Sequence, residues 1–175
     1  MFSRISAAAA AALVFITGCS SGRIHERSYL RAAAFSGNSV TMTFFEEEGS
    51  LTAEGDDLSA AAENGELKNG REIFMGFTEL AVIGDGDVRG LLTVLLNDWK
   101  VSPSCMIVYS SDGGSLLAEN GAEKLRGMAE QAVKQGIAPE CDIITVLGRL
   151  CRGEPAEVPE LRGDGTAAGK RIDQF

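Results

Sequence analysis

Residues 73–83 read as holding the central strand; the continuous apolar run there, Leu80-Ala81-Val82-Ile83, leads almost at once into an uninterrupted helical stripe, and this pair of features constrains the fold most. A strand without a polar position has no face for water, so it must be covered on both sides. Gly84-Asp85-Gly86-Asp87 turns the chain. Val88, Leu91, Leu92, Leu95, Leu96 and Trp99 then recur at i, i+3, i+4 and i+7, the period of a helix with one buried face. Asp87 reads as the N-cap of that helix. Residues 105–109 form another short buried strand. Strand and helix in alternation require a sheet with helices packed on it.

The same patterning organises the rest of the chain. Residues 29–35 and 39–45 read as two strands around the turn Ser36-Gly37-Asn38. Val40, Met42 and Phe44 alternate there with Thr41, Thr43 and Phe45, as in a half-buried strand. Residues 46–66 hold eight acids and no Lys or Arg. They read as an exposed loop entering a short helix, with Asp56 or Asp57 as cap and Leu58, Ala61 and Ala62 inward. Ser110 to Ser115 turns into a helical region whose stripe is Leu125, Met128, Ala129, Ala132 and Val133, closed by Gly136. Asp142 can cap a last helix carrying Ile143, Ile144, Leu147, Leu150 and Cys151. After Gly153 the chain turns to Pro, Gly and charge, so residues 154–175 read as a loose tail. The expected fold class is α/β (α+β): a small mixed β-sheet with an N-terminal hairpin and packed helices, in the order β-β-α-β-α-β-α-α, over residues 29–153.

The first 18 residues read as a cleavable export signal. Arg4 supplies its positive start, and residues 7–16 are uncharged and led by six alanines. Ten residues at about 1.5 Å each cover half of a bilayer core, too little for a span. The segment ends Ile16-Thr17-Gly18-Cys19, which resembles the lipobox of bacterial lipoproteins. Small residues fit a peptidase cleft, and only a thiol permits the thioether link to a diacylglycerol. Cys19 is therefore the expected lipidation site, residues 19–28 the tether, and the outer face of a membrane the expected location. Two or more acyl chains hold a protein there stably.

Charge narrows the partners. Removing residues 1–18 takes away Arg4 and no acid, so 16 basic residues become 15 against 25 acids, a net −10. No basic patch points to nucleic acid, and an acidic surface is repelled by anionic headgroups. Cys19 aside, Cys105, Cys141 and Cys151 remain. An odd number cannot all pair within the chain, and no C-x-x-C spacing suggests zinc. They read as small buried hydrophobes.

The pattern carries no familiar catalytic set. The single histidine, His25, falls in the tether, whereas Ser-His-Asp or Cys-His chemistry needs an imidazole on a rigid scaffold. There is no H-E-x-x-H, no G-x-S-x-G and no Walker loop. Ser110-Ser111-Asp112-Gly113-Gly114-Ser115 lacks the lysine of a phosphate loop and reads as a turn with a helix cap. Asp85-Gly86-Asp87 resembles the start of a calcium loop, but no acid follows at the spacing that loop needs. Glu46-Glu47-Glu48 reads as a solvated run, and Arg162-Gly163-Asp164 as part of the tail. No catalytic, cofactor-binding or metal residue is assigned. The residues alone give a lipid-anchored, acidic, single-domain α/β binding or assembly protein.

Residues 70–84, Gly70-Arg71-Glu72-Ile73-Phe74-Met75-Gly76-Phe77-Thr78-Glu79-Leu80-Ala81-Val82-Ile83-Gly84, are similar to a segment of the Ger(x)C family, the lipoprotein C subunits of germinant receptors in spore-forming bacteria. In that family an Arg-aromatic-Gly-His segment runs into an apolar strand ending in Ile-Gly, and an amphipathic helix, a break and a second apolar strand follow. Here residues 88–99 resemble that helix, Asn97-Asp98-Trp99 lies near the break, and residues 105–109 resemble the strand. Leu147-Gly148-Arg149-Leu150 and the exit Gly153, Pro155, Pro159 and Leu161 resemble the family's continuation. The chain departs from the pattern in Cys19-Ser20-Ser21, where the family starts Cys-Trp-Asp, and in Phe77, where it commonly has His. Its hairpin lacks the usual Gly-Ile-Asp ending, and the resemblance covers only the N-terminal domain of members more than twice as long. The resemblance implies a non-catalytic lipoprotein of the spore inner membrane that assembles with integral membrane subunits of a germinant receptor and uses no cofactor. The alternative is a lipid-tethered solute-binding or envelope-scaffold domain unrelated to germination.

Overall fold

A computed structural model describes residues 27–173 of the chain. Its elements are β1 (Arg27–Ser36), β2 (Ser39–Phe44), β3 (Leu51–Glu54), α1 (Leu58–Asn69), β4 (Glu72–Phe74), β5 (Leu80–Ile83), α2 (Val88–Asn97), β6 (Met106–Tyr109), α3 (Gly113–Lys134), α4 (Ile143–Cys151), β7 (Ala156–Leu161) and β8 (Ala167–Ile172). The fold is mixed α/β, as the patterning requires, with the N-terminal hairpin in place and helices packed on one sheet. The sheet has eight strands in the order β3-β2-β1-β5-β6-β7-β8, with β4 also paired to β1. Pairings β1–β4, β1–β5, β5–β6 and β6–β7 are parallel, and β1–β2, β2–β3 and β7–β8 are antiparallel.

Helices cover both faces of the sheet. Ala61 and Ala62 of α1, Leu92 and Leu95 of α2, and Val146 and Leu150 of α4 join one core with Ala33, Met42, Ala81 and Ile107. Leu116, Leu117, Leu125 and Ala129 of α3 form the other with Ala32, Ala34, Val82 and Val108. The doubly apolar Leu80–Ile83 run thus receives the two layers it demands. The α2 stripe behaves as its period predicts: Val88, Leu92, Leu95 and Trp99 are buried, and Leu91 and Leu96 partly so. Each buried leucine contributes about 1.5–3 kcal/mol over an exposed one. Asp57, Asp87 and Asp142 cap α1, α2 and α4 by accepting the N–H of Ala60, Gly90 and Thr145 at 2.8, 2.8 and 2.6 Å.

Four departures from the sequence reading concern β2, the stretch after it, the third helix and the C-terminal residues; a further one splits residues 73–83 into β4 and β5. β2 is buried on both faces, because α3 also lies against the Thr41 and Thr43 side. The two hydroxyls stay satisfied there, Thr41 with Thr52 at 3.0 Å and Thr43 on the Ala32 carbonyl at 3.5 Å. The acidic stretch after it contains an edge strand, β3, paired to β2 through its backbone while Thr52 and Glu54 face water. The third helix starts at Gly113 and breaks at Gly121, whose φ of 72° no helical residue adopts.

The fourth difference is the largest. Residues 156–172 are not a loose tail: β7 and β8 form a hairpin closed by Arg162–Thr166 and extend the sheet beside β6. Ala156, Val158, Leu161 and Ile172 are buried. The alternation Ala156, Val158 is that of a strand, but Pro155 and Pro159 and the flanking charges mask it in sequence. Pro159 sits where β7 meets β6 only through Tyr109 and Glu160, so the ladder loses little by its missing N–H.

Candidate functional site

The most irregular part of the sheet lies where β4 passes into β5. Both pair with β1 in parallel, β4 through Arg27, Ser28 and Tyr29 and β5 through Ala32, Ala33 and Ala34. Between them the chain leaves the sheet over residues 75–79. Thr78 closes this loop, its N–H and hydroxyl both donating to the Met75 carbonyl at 3.1 and 2.6 Å. Gly76 makes it possible: a Cβ there would lie 2.8 Å from the Phe74 ring. The chain rejoins at Glu79, whose N–H donates to the Arg31 carbonyl at 2.8 Å. Arg31 is itself the extra residue where the β1–β2 register shifts. Interrupted strands of this kind re-aim side chains.

The loop aims Phe77 outward. Its ring stacks on Tyr29 at 5.8 Å and meets Phe74 edge-on at 5.0 Å, and Tyr29 meets Phe74 at 5.8 Å. Phe45 joins this end of the sheet: its N–H donates to the Tyr29 carbonyl at 3.1 Å, and the Arg31 guanidinium lies over its ring at 5.3 Å. Beside the aromatics runs a chain of charges. Glu79 sits between Arg31 at 3.2 Å and Arg126 at 2.7 Å, Arg126 reaches Glu130 at 3.0 Å, and Arg31 reaches Glu123 at 3.6 Å. The Glu79 carboxylate, first by hydrogen bond and then by charge, raises Arg126 above its ordinary value. These pairs are partly solvated and fix geometry more than they add stability. A groove flanked by Phe77, Ser102, Ser104, Met106 and Arg126 opens alongside.

The loops singled out from sequence lie at the opposite end. Asp112 caps α3 by accepting from the Ser115 N–H at 3.4 Å, and the Ser110 hydroxyl accepts from the Asp112 N–H at 3.4 Å. Gly113 is buried, with space for a Cβ only 2.9 Å from Val82 Cγ1. This is the turn with a helix cap that the residue types suggest. Asp85 accepts from the Tyr109 hydroxyl at 2.9 Å, and Lys170 lies 3.9 Å from Asp85 and 4.1 Å above the Tyr109 ring. Among the described residues no cluster of His, Cys, Asp and Glu is arranged to hold a metal ion.

Of the cysteines, Cys105 and Cys141 are buried but Cys151 is exposed, which corrects the expectation that all three are buried. Cys151 ends α4, whereas Cys141 precedes it. Burial raises the Cys105 thiol strongly, with Glu79 and Cys141 adding to the effect, and raises Cys141 from 9.0 to about 11. Neither is a ready thiolate. Cys19 and His25 lie outside the described residues. The aromatic and ionic cluster is not legible in the sequence, since its contacts join residues as far apart as Arg31 and Glu123. The one local signal was Phe45, an apolar residue on the Thr41–Thr43 side of β2.

No protein-family model, curated protein or solved structure matches the chain.

Proposed function

We propose that the protein is a non-catalytic lipoprotein, anchored through Cys19, that assembles with integral membrane subunits of a receptor of the germinant type. The observation that carries this reading is the segment Gly70 to Gly84. It is the part of the chain that resembles the C subunits of germinant receptors, and it builds β4, the interruption and β5. A segment at the centre of the sheet that also presents Phe77 to solvent suits a rigid scaffold with an aromatic contact surface. Confinement on one membrane raises the effective concentration of the partners, so modest contacts suffice.

Cross-linking in intact spores followed by affinity recovery tests the reading. Integral membrane receptor subunits recovered with this protein, and slowed nutrient germination in a deletion strain, are the expected results. Recovery of none, with germination unchanged, would overturn the proposal in favour of a solute-binding or scaffold role.

A further inference from the structure

We infer that the end of the sheet bearing Tyr29, Phe45 and Phe77 is the docking face for an extracytoplasmic segment of an integral membrane protein, one that is apolar and carries basic residues. The inference rests on the anchor at Cys19.

Its first support is where the exposed apolar side chains lie. Among the described residues the exposed large hydrophobics are Phe45 at 42 %, Leu67 at 82 %, Phe77 at 59 % and Ile144 at 55 %. All belong to the end where the parallel strands begin. Phe45 and Phe77 flank Tyr29 near the start of β1. Leu67 is in the last turn of α1, two residues before Asn69, whose amide donates to Ser28 at 2.8 Å. Ile144 follows Ile143, whose N–H donates to the Cys105 carbonyl just ahead of β6. The capping aspartates Asp57, Asp87 and Asp112 lie at the opposite end, and Asp142 alone of the helix caps sits at this one, beside Met106. Scattered exposed apolar residues are ordinary, but their collection at one end of a domain marks a contact surface.

The second support is reach. Seven residues, 20–26, separate Cys19 from Arg27, where β1 begins. A chain of that length spans at most roughly 30 Å. The end of the domain that receives the tether is the end with the exposed apolar side chains. A lipid on Cys19 therefore keeps those side chains close to the membrane, within range of whatever protein projects from it.

Charge selects between the bilayer and a protein. Phe45 is followed directly by Glu46, Glu47 and Glu48, all exposed. Glu47 is held by Arg71 at 3.6 Å and by the Ser28 hydroxyl at 2.9 Å, whereas Glu46 and Glu48 have no ion-pair partner among the described residues. Free carboxylates beside the aromatics oppose insertion into an anionic headgroup layer and favour a basic protein surface. An aromatic centre bordered by charge is the usual composition of a binding hot spot and its rim.

The test uses the full-length protein in its native cells, with the photo-cross-linker p-benzoylphenylalanine in place of Phe77, of Phe45, or of Arg89 at the far end as control. The expected result is a discrete adduct with one integral membrane protein from positions 77 and 45 and none from position 89. That adduct is lost in the double variant Glu46→Lys/Glu48→Lys. Adducts with lipid, with a second copy of this chain, or equally from position 89 overturn the inference, as does no adduct from a membrane-bound protein. Fractionation of Cys19→Ser separates the two claims. If that variant stays on the membrane like the wild type, the anchor reading fails and takes the inference with it. If it is released while position 77 of the wild type labels only lipid, the docking assignment alone fails.

Discussion

Leu161→Ala tests the part of the fold that departs furthest from the sequence reading. Leu161 is 1 % exposed at the end of β7, on the face that α3 covers. Truncation to alanine removes three carbons from a cluster that also holds Leu117, Leu125, Val82 and Val108. Four further members of that cluster, Ala32, Ala34, Ala122 and Ala129, have no flexible side chain that could move into the space. Met106 and Met128 pack against the cluster and can fill only part of the space, so the cost should fall within the ~2–5 kcal/mol range for leucine truncations. Against a total stability of about 5–15 kcal/mol this is a large fraction. Urea unfolding of the lipid-free Cys19→Ser chain reads the loss directly, and thermal unfolding should drop by roughly 4–20 °C. A tail that does not pack would make the substitution silent. A loss below ~0.5 kcal/mol, the range of surface substitutions, would refute the burial of the C-terminal hairpin and the cavity reasoning built on it.

Four other outcomes follow from single residues. Asp142→Ala removes the acceptor of the Thr145 N–H and should cost about 0.5–2 kcal/mol in the same urea assay. Gly113→Ala places a Cβ 2.9 Å from Val82 Cγ1 and 3.4 Å from Ala34 Cβ, and should cost about 1–3 kcal/mol by forcing α3 off the sheet. In native protein a maleimide should modify Cys151 quickly and reach Cys105 and Cys141 only on unfolding; burial raises both of these thiols, so the folded state keeps protons that the unfolded chain releases above pH 9, and stability should fall as pH rises from 9.0 towards about 11 while staying insensitive to these groups below that window. A fatty-acid analogue should label the wild type in cells and leave Cys19→Ser unlabelled; a labelled, membrane-bound variant would remove the anchor.

The parts of the fold legible in sequence are those where local period and burial coincide. The α2 stripe, the Leu80–Ile83 run and the capping aspartates each involve neighbours within a few residues, so the pattern and the packing are the same fact. The edges of the sheet are different. β3 buries only Ala53 fully, and β7 carries Pro159 between Val158 and Glu160, with Glu157 exposed. Both are held by pairing to a strand already in place, a contribution the segment itself does not display. The double burial of β2 has the same origin. Thr41 and Thr43 read as a solvent face until α3, more than seventy residues later, is laid against them.

The candidate site was hidden for a related reason, and its composition explains why. Residues 75–79 break a strand whose flanks, Ile73 and Leu80, remain in the core, so the apolar pattern reads straight through the interruption. The break depends on Gly76, on the turn closed by Thr78, and on a register shift in the neighbouring strand at Arg31. None of these is a motif by itself. Their product is an aromatic side chain at 59 % exposure set beside the central strands, at the end of the sheet where the parallel strands begin. Tyr29 pairs with Phe74 and Ala32 with Leu80, so the chain takes six steps where β1 takes three. The excursion leaves Phe77 in water, which costs stability in the isolated domain. Such a departure from the locally favoured arrangement is accounted for if the exposed ring has a partner surface, and that is the contact which the cross-linker at position 77 interrogates.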